Sequence, residues 1–123
     1  MRVAARNVNA SDCPPSAGRF LGGPAVTPGK AYEAHAIAVF EGVDLILVVD
    51  DDGMVGWRPG WLFDVVDSSL PADWICQVFH SQVSLVMGPE FIAKDEAAYA
   101  AMVDLDDDQV ERFWRRVDAQ KSA

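Results

Sequence analysis

The sequence predicts an α+β fold in which five or six antiparallel strands are followed by two C-terminal helices. Three observations carry that reading: apolar runs of strand length from residue 31 onward, Gly, Pro and Asp turn signals between them, and an amphipathic helix near the C-terminal end. Half of the 123 residues are hydrophobic, enough for one domain to build a core without disulfide staples.

Residues 1–18 mix Asn, Ser, Pro and Ala with neither a helical nor a strand period. They are expected to form an irregular N-terminal arm, leaving residues 19–123 as a single domain. Leu21-Gly22-Gly23-Pro24 and Thr27-Pro28-Gly29-Lys30 punctuate its beginning. Tyr32 to Phe40 then alternates with period 2, as a single strand would. Glu41-Gly42 makes a turn. Val43 to Val49 (VDLILVV) is almost continuously apolar, the mark of a strand covered on both faces. Asp50-Asp51-Asp52-Gly53 supplies a hairpin turn, because Asp and Gly accept the positive φ of tight turns. Met54 to Arg58 is the return strand, and Leu62 to Val66 resumes after Pro59-Gly60. Trp74 to Phe79 and Val83 to Met87 complete the strands.

Asp95 to Val103 is alanine-rich and favours a short helix. The last helix is the best signalled. Asp106 is an N-cap with Gln109 at the capping-box position, and Leu105 and Val110 have the spacing of a hydrophobic staple. Acids at its start and Arg115, Arg116 and Lys121 near its end complement the helix dipole. Val110, Phe113, Trp114 and Val117 form one apolar face.

The 10 Lys+Arg and 19 Asp+Glu leave a net charge of −9. By segment, positions 1–30 carry +3 and positions 112–123 carry +3, while positions 31–111 set 17 acids against Arg58 and Lys94, or −15. That body repels nucleic acid and attracts basic protein surfaces. The plain alternative is solubility. No uninterrupted apolar run is long enough to cross a bilayer, so no membrane span is expected. No apolar signal segment lies between Met1 and Lys30, and Cys13 and Cys76 form no motif. The expectation is a cytoplasmic protein with reduced thiols.

Candidate chemistry is sparse. Asp50-Asp51-Asp52-Gly53 cannot be a helix–loop–helix calcium loop, since counting back from the glycine puts Val48 where the first carboxylate is required. The acids at 104–111 suit a helix N-terminus. Cys76 and His80 share a strand face, but no paired zinc spacing exists, and the apolar neighbours of Cys76 read as core. No phosphate loop and no GxSxG elbow occurs. No enzyme, metal or cofactor is therefore expected. Trp57 and Trp61 flank a proline turn, and exposed aromatics rimmed by charge resemble interface anchors. The candidate partner-binding residues are Asp50, Asp51, Asp52, Trp57 and Trp61. A core role for each tryptophan is the competing reading.

The run Gly56-Trp57-Arg58-Pro59-Gly60-Trp61-Leu62-Phe63-Asp64-Val65-Val66 resembles the closing part of an SH3-like barrel, with Lys30–Ala34 and the Leu45–Gly53 hairpin as its earlier strands. It is also similar to small uncharacterised bacterial proteins with a GKxY strand, a VVDDDG hairpin and a GWxPxxLFxVVD segment. The resemblance implies a partly open SH3-like β-barrel over residues 29–66, and fold likeness alone carries no function. Peptide-reading SH3 domains dock proline-rich ligands on clustered aromatics, of which only Tyr32 falls in the matching early segment. The functional expectation is a non-enzymatic acidic protein-binding domain. An immunity or inhibitor protein neutralising a basic partner, such as a nuclease toxin, is its concrete form. The alternatives are a peptide-reading regulatory or scaffold domain, and a small ligand-binding or enzymatic barrel of unrecognised chemistry.

Overall fold

The computed structural model describes residues 1–21 and 26–122, so Gly22, Gly23 and Pro24 of the first turn signal lie outside the described residues. The chain is α+β. Its strands are β1 (Arg2–Ala5), β2 (Ala31–Glu33), β3 (Ala36–Phe40), β4 (Val43–Val49), β5 (Val55–Pro59), β6 (Phe63–Asp67), β7 (Trp74–Val78) and β8 (Val83–Pro89). The helices are α1 (Pro15–Gly18), α2 (Glu90–Ala93), α3 (Glu96–Val103) and α4 (Asp107–Ser122). All strand pairings are antiparallel, in two sheets of order β2-β1-β6 and β5-β4-β3-β8-β7.

The strands do not close into a barrel. The reason lies in the segment expected to be an irregular arm. Its residues Arg2–Ala5 form β1, which takes β2 on one side and β6 on the other. Those two strands are thereby drawn into a second sheet, while β8 pairs with β3 and extends the first. The single strand expected from Tyr32 to Phe40 is two strands, and the chain changes sheets between them. Ala34 N donates to Met1 O at 3.0 Å, and the next residue, His35, donates to Leu47 O at 2.8 Å.

β4 ties the layers together. Leu45 and Leu47 point to the helical side, into a core with Ala36, Ala38, Trp57, Val86, Ile92, Met102 and Phe113. Ile46 and Val48 point the other way, into a smaller core with Val3, Tyr32, Ala34 and Phe63. The uninterrupted apolar run of this strand has that cause: both faces are covered.

The two main helices lie where the sequence places them. Asp95 caps α3, its Oδ1 accepting from Ala98 N at 2.7 Å, and Asp106 Oδ1 accepts from Asp108 N at 3.1 Å before α4. Gln109 does not act as the capping-box partner. It is buried, and its Nε2 donates to Phe91 O (2.7 Å) and Ala98 O (3.1 Å), stitching α4 to α2 and α3. Cys76 is exposed rather than in the core, because the face of β7 it shares with Val78 is the uncovered outer one. Among the described residues, no helix is long and apolar enough to cross a membrane.

Candidate functional site

The acidic hairpin tip is mostly engaged within the fold. Asp50 is buried, and its Oδ1 accepts from the backbone N–H of Asp52 (2.9 Å) and Met54 (3.1 Å). Its other oxygen lies 3.6 Å from an Arg58 guanidinium nitrogen. Gly53 closes the turn at φ +79°, a conformation that disfavours a side chain, and its N–H donates to Asp50 O at 3.0 Å. Asp51 accepts from Thr27 Oγ1 (2.6 Å), Lys30 Nζ (2.7 Å) and Tyr32 Oη (2.7 Å). The Lys30 hydrogen bond first, and those from Thr27 and Tyr32 with it, hold the Asp51 carboxyl down at about 2. Asp52 is exposed and, unlike its two neighbours, makes no ion pair among the described residues.

The two turn tryptophans point to different places. Trp61 is half-buried under Arg6, whose guanidinium carbon lies 5.8 Å from the ring centroid and whose Nη1 donates to Trp61 O at 2.7 Å. Trp57 is buried on the helical side of the sheet, 5.4 Å centroid to centroid from Tyr99. The sequence-predicted residues therefore form no single patch. Asp50 and Asp51 hold the hairpin, Trp61 holds the N-terminal segment, and Trp57 lines a cavity.

That cavity has the most aromatic wall of the concave sites among the described residues, although it is not the largest of them. It has a volume of about 510 Å³ and lies along the outer edge of β5, under α3. Its wall is aromatic: Phe20, Phe40, Tyr99 and Trp57 follow one another at centroid spacings of 6.3, 6.4 and 5.4 Å. Burial pushes the Tyr99 hydroxyl up to about 12, so it is a neutral group at any ordinary pH. Met54, Val103 and Leu105 form the rim, with Met54 55% exposed, which is much for so apolar a side chain.

Charge around the cavity is one-sided. Arg58, the cation in its lining, is paired with Asp50, and Arg19 beside Phe20 is paired with Glu41 at 2.8 Å. Arg19 also lies over the Phe20 ring, 4.7 Å from its centroid. Asp104 at the mouth makes no ion pair among the described residues, nor do Asp52 near Met54 or Asp106, Asp107 and Asp108 beyond Leu105. Among the described residues, burial leaves Trp57 Nε1, Arg58 Nε and Asp50 Oδ2 without hydrogen-bond partners.

Tyr99, Phe40 and Phe20 could not be assigned to this site from sequence. They come from three separated segments, and each reads locally as an ordinary core aromatic. No protein-family model matches the chain, and neither a curated protein nor a solved structure matches it. The class this geometry defines is a small two-sheet α+β domain with an acid-rimmed aromatic cavity at one sheet edge.

Proposed function

We propose that the chain is a non-enzymatic acidic protein-binding domain that docks a basic partner by seating an apolar side chain of that partner in the Trp57–Tyr99 cavity. The observation that carries this reading is the pairing of an aromatic wall with a mouth whose unpaired charges, among the described residues, are all carboxylates. Interfaces draw most of their binding energy from an anchor in a desolvated pocket. Rim charge acts chiefly on encounter and on the choice of partner. A basic surface with one protruding Leu, Met or aromatic side chain complements both parts. An immunity or inhibitor protein acting on a basic toxin is the form of this role that best suits the −15 body. A peptide-reading role of the SH3 type is less well supported, because Tyr32 and Trp57 are buried and Trp61 stands apart from them.

Filling the cavity tests the reading without disturbing the core. Ala100 is exposed and lines the cavity, so Ala100→Trp should plug it and leave the fold intact. With the partner purified from the native host, Ala100→Trp should speed dissociation and cost about 2 kcal/mol or more of affinity. Asp104→Asn with Asp106→Asn and Asp107→Asn should instead slow association and flatten its salt dependence. Unchanged binding by the plugged variant overturns the proposal. So does recovery of only a nucleic acid or a small metabolite.

A further inference from the structure

We infer that a second copy of this chain pairs with the free edge of β7, joining the two five-stranded sheets into one about a two-fold axis. From Trp74 to Pro89 the sequence holds no Asp, Glu, Lys or Arg, the longest uncharged run in the chain. Those residues are the β7–β8 hairpin, and β7 is the last strand of its sheet. Exposed sheet edges are normally protected by charge, by proline or by a bulge. Between Trp74 and Val78 there is no charge and no proline, and the pairing of β7 with β8 runs without a register shift.

The backbone is presented for pairing. Phe79 N donates to Ser84 O at 2.9 Å, and Trp74 stands opposite Pro89, which has no N–H to give, while the Trp74 N–H donates to Pro71 O at 3.1 Å. Antiparallel bonding alternates along a strand, so Ile75, Gln77 and Phe79 bond to β8 while Cys76 and Val78 turn their N–H and C=O groups to the free edge. The side chains agree. Val78 is 65% exposed, Cys76 is exposed beside it, and half-buried Leu85 and Met87 continue the same apolar face on β8.

Charge makes this hairpin the place where a second copy meets least resistance, and the self-complementary apolar face supplies the attraction. Two copies of a chain with net charge −9 repel one another over most of their surfaces. That repulsion is weakest at this hairpin. The nearest acid, Asp73, is neutralised by both terminal nitrogens of Arg116. A strand of this length pairing antiparallel with itself places its centre on the axis, Cys76 facing Cys76 of the second copy. Val78 of each copy then faces Trp74 of the other, an aromatic–β-branched pair. The cavity lies at β5, the opposite edge of the sheet, so this pairing leaves it open in both copies.

Sedimentation of the purified chain at micromolar concentration should give the mass of two chains. Val78→Lys puts a charge on the edge at an exposed position and should weaken self-association at least tenfold with an unchanged circular dichroism spectrum. In a Cys13→Ser background, a short bis-maleimide should join two chains through Cys76, since facing residues in such a pair have Cα atoms about 5.5 Å apart. A single-chain mass at every concentration overturns the inference. A dimer that Val78→Lys leaves intact, or one that Cys76 cannot cross-link, overturns it equally.

Discussion

At Asp51, one carboxylate gathers a threonine hydroxyl, an ammonium and a phenol, all from the Thr27–Tyr32 segment, and so fastens the β4–β5 hairpin to β2. Because its folded pKa is depressed to about 2 from an ordinary 3.8, its contribution is complete above the ordinary value and lost as the pH falls towards 2. His35 adds a second acid-sensitive contribution in a different window. Burial first, then Arg116 and the N-terminal ammonium, push its imidazole down to about 4. It sits edge-on to Phe113, ring centroids 4.9 Å apart. The unfolded chain therefore takes up a proton near 6.5 that the folded one refuses until about 4, and stability falls across that interval by about 3 kcal/mol at most. Denaturant titrations of wild type should show loss in both windows. His35→Gln should flatten the upper one and Asp51→Asn should reduce the lower one, which Asp73, held down by Arg116, and Asp67, held down by Ser69, share; identical pH profiles for wild type and variants would refute the assignment. The turn itself is legible in the sequence, since Asp and Gly suit it. The destination of each carboxylate is not, because local sequence does not reveal that Lys30 and Arg58 stand within reach.

Among the elements, β4 and α4 are the most legible. A strand buried on both faces and a capped helix with one apolar stripe leave marks inside their own residues. β1 leaves none: four residues are too few to show a period, and Arg2–Ala5 becomes a strand only because β2 and β6 flank it. In α4 the apolar stripe is graded rather than uniform. Phe113 is fully buried in the large core, whereas Trp114 is only half-buried against its margin. Phe113→Ala should accordingly cost about 3–5 kcal/mol and Trp114→Ala about 1–2 kcal/mol, measured by chemical denaturation. Equal costs, or a larger one at Trp114, would mean that α4 packs with a different rotation. The aromatic cavity falls between these cases. Trp57 can be singled out from its place beside a proline turn, but the wall it joins is assembled from the Phe20 segment, β3 and α3. No spacing within one segment encodes that meeting.

The whole molecule has two cores and one strand common to both, and this governs how it should unfold. Ile46 and Val48 complete the small core while Leu45 and Leu47, alternating with them along the strand, complete the large one. If the three-stranded sheet detached, β4 would present its second apolar face to water, at roughly 25 cal/mol for each Å² newly exposed. The chain also crosses between the sheets at Ala34–His35 in adjacent hydrogen bonds, leaving no slack for one sheet to open alone. The two cores should therefore unfold in one cooperative step. Val3 tests this, being fully buried in the small core at the centre of its sheet. Val3→Ala should cost about 2–3 kcal/mol through the methyl groups lost and the cavity left behind. By cooperativity, hydrogen exchange should then register that full loss at the slowest amides of β3 and β8 as well as in β1. A loss confined to β1, β2 and β6 would show that the small sheet opens independently. Residues 1–5 would then be an accessory layer on a five-stranded domain rather than part of its foundation.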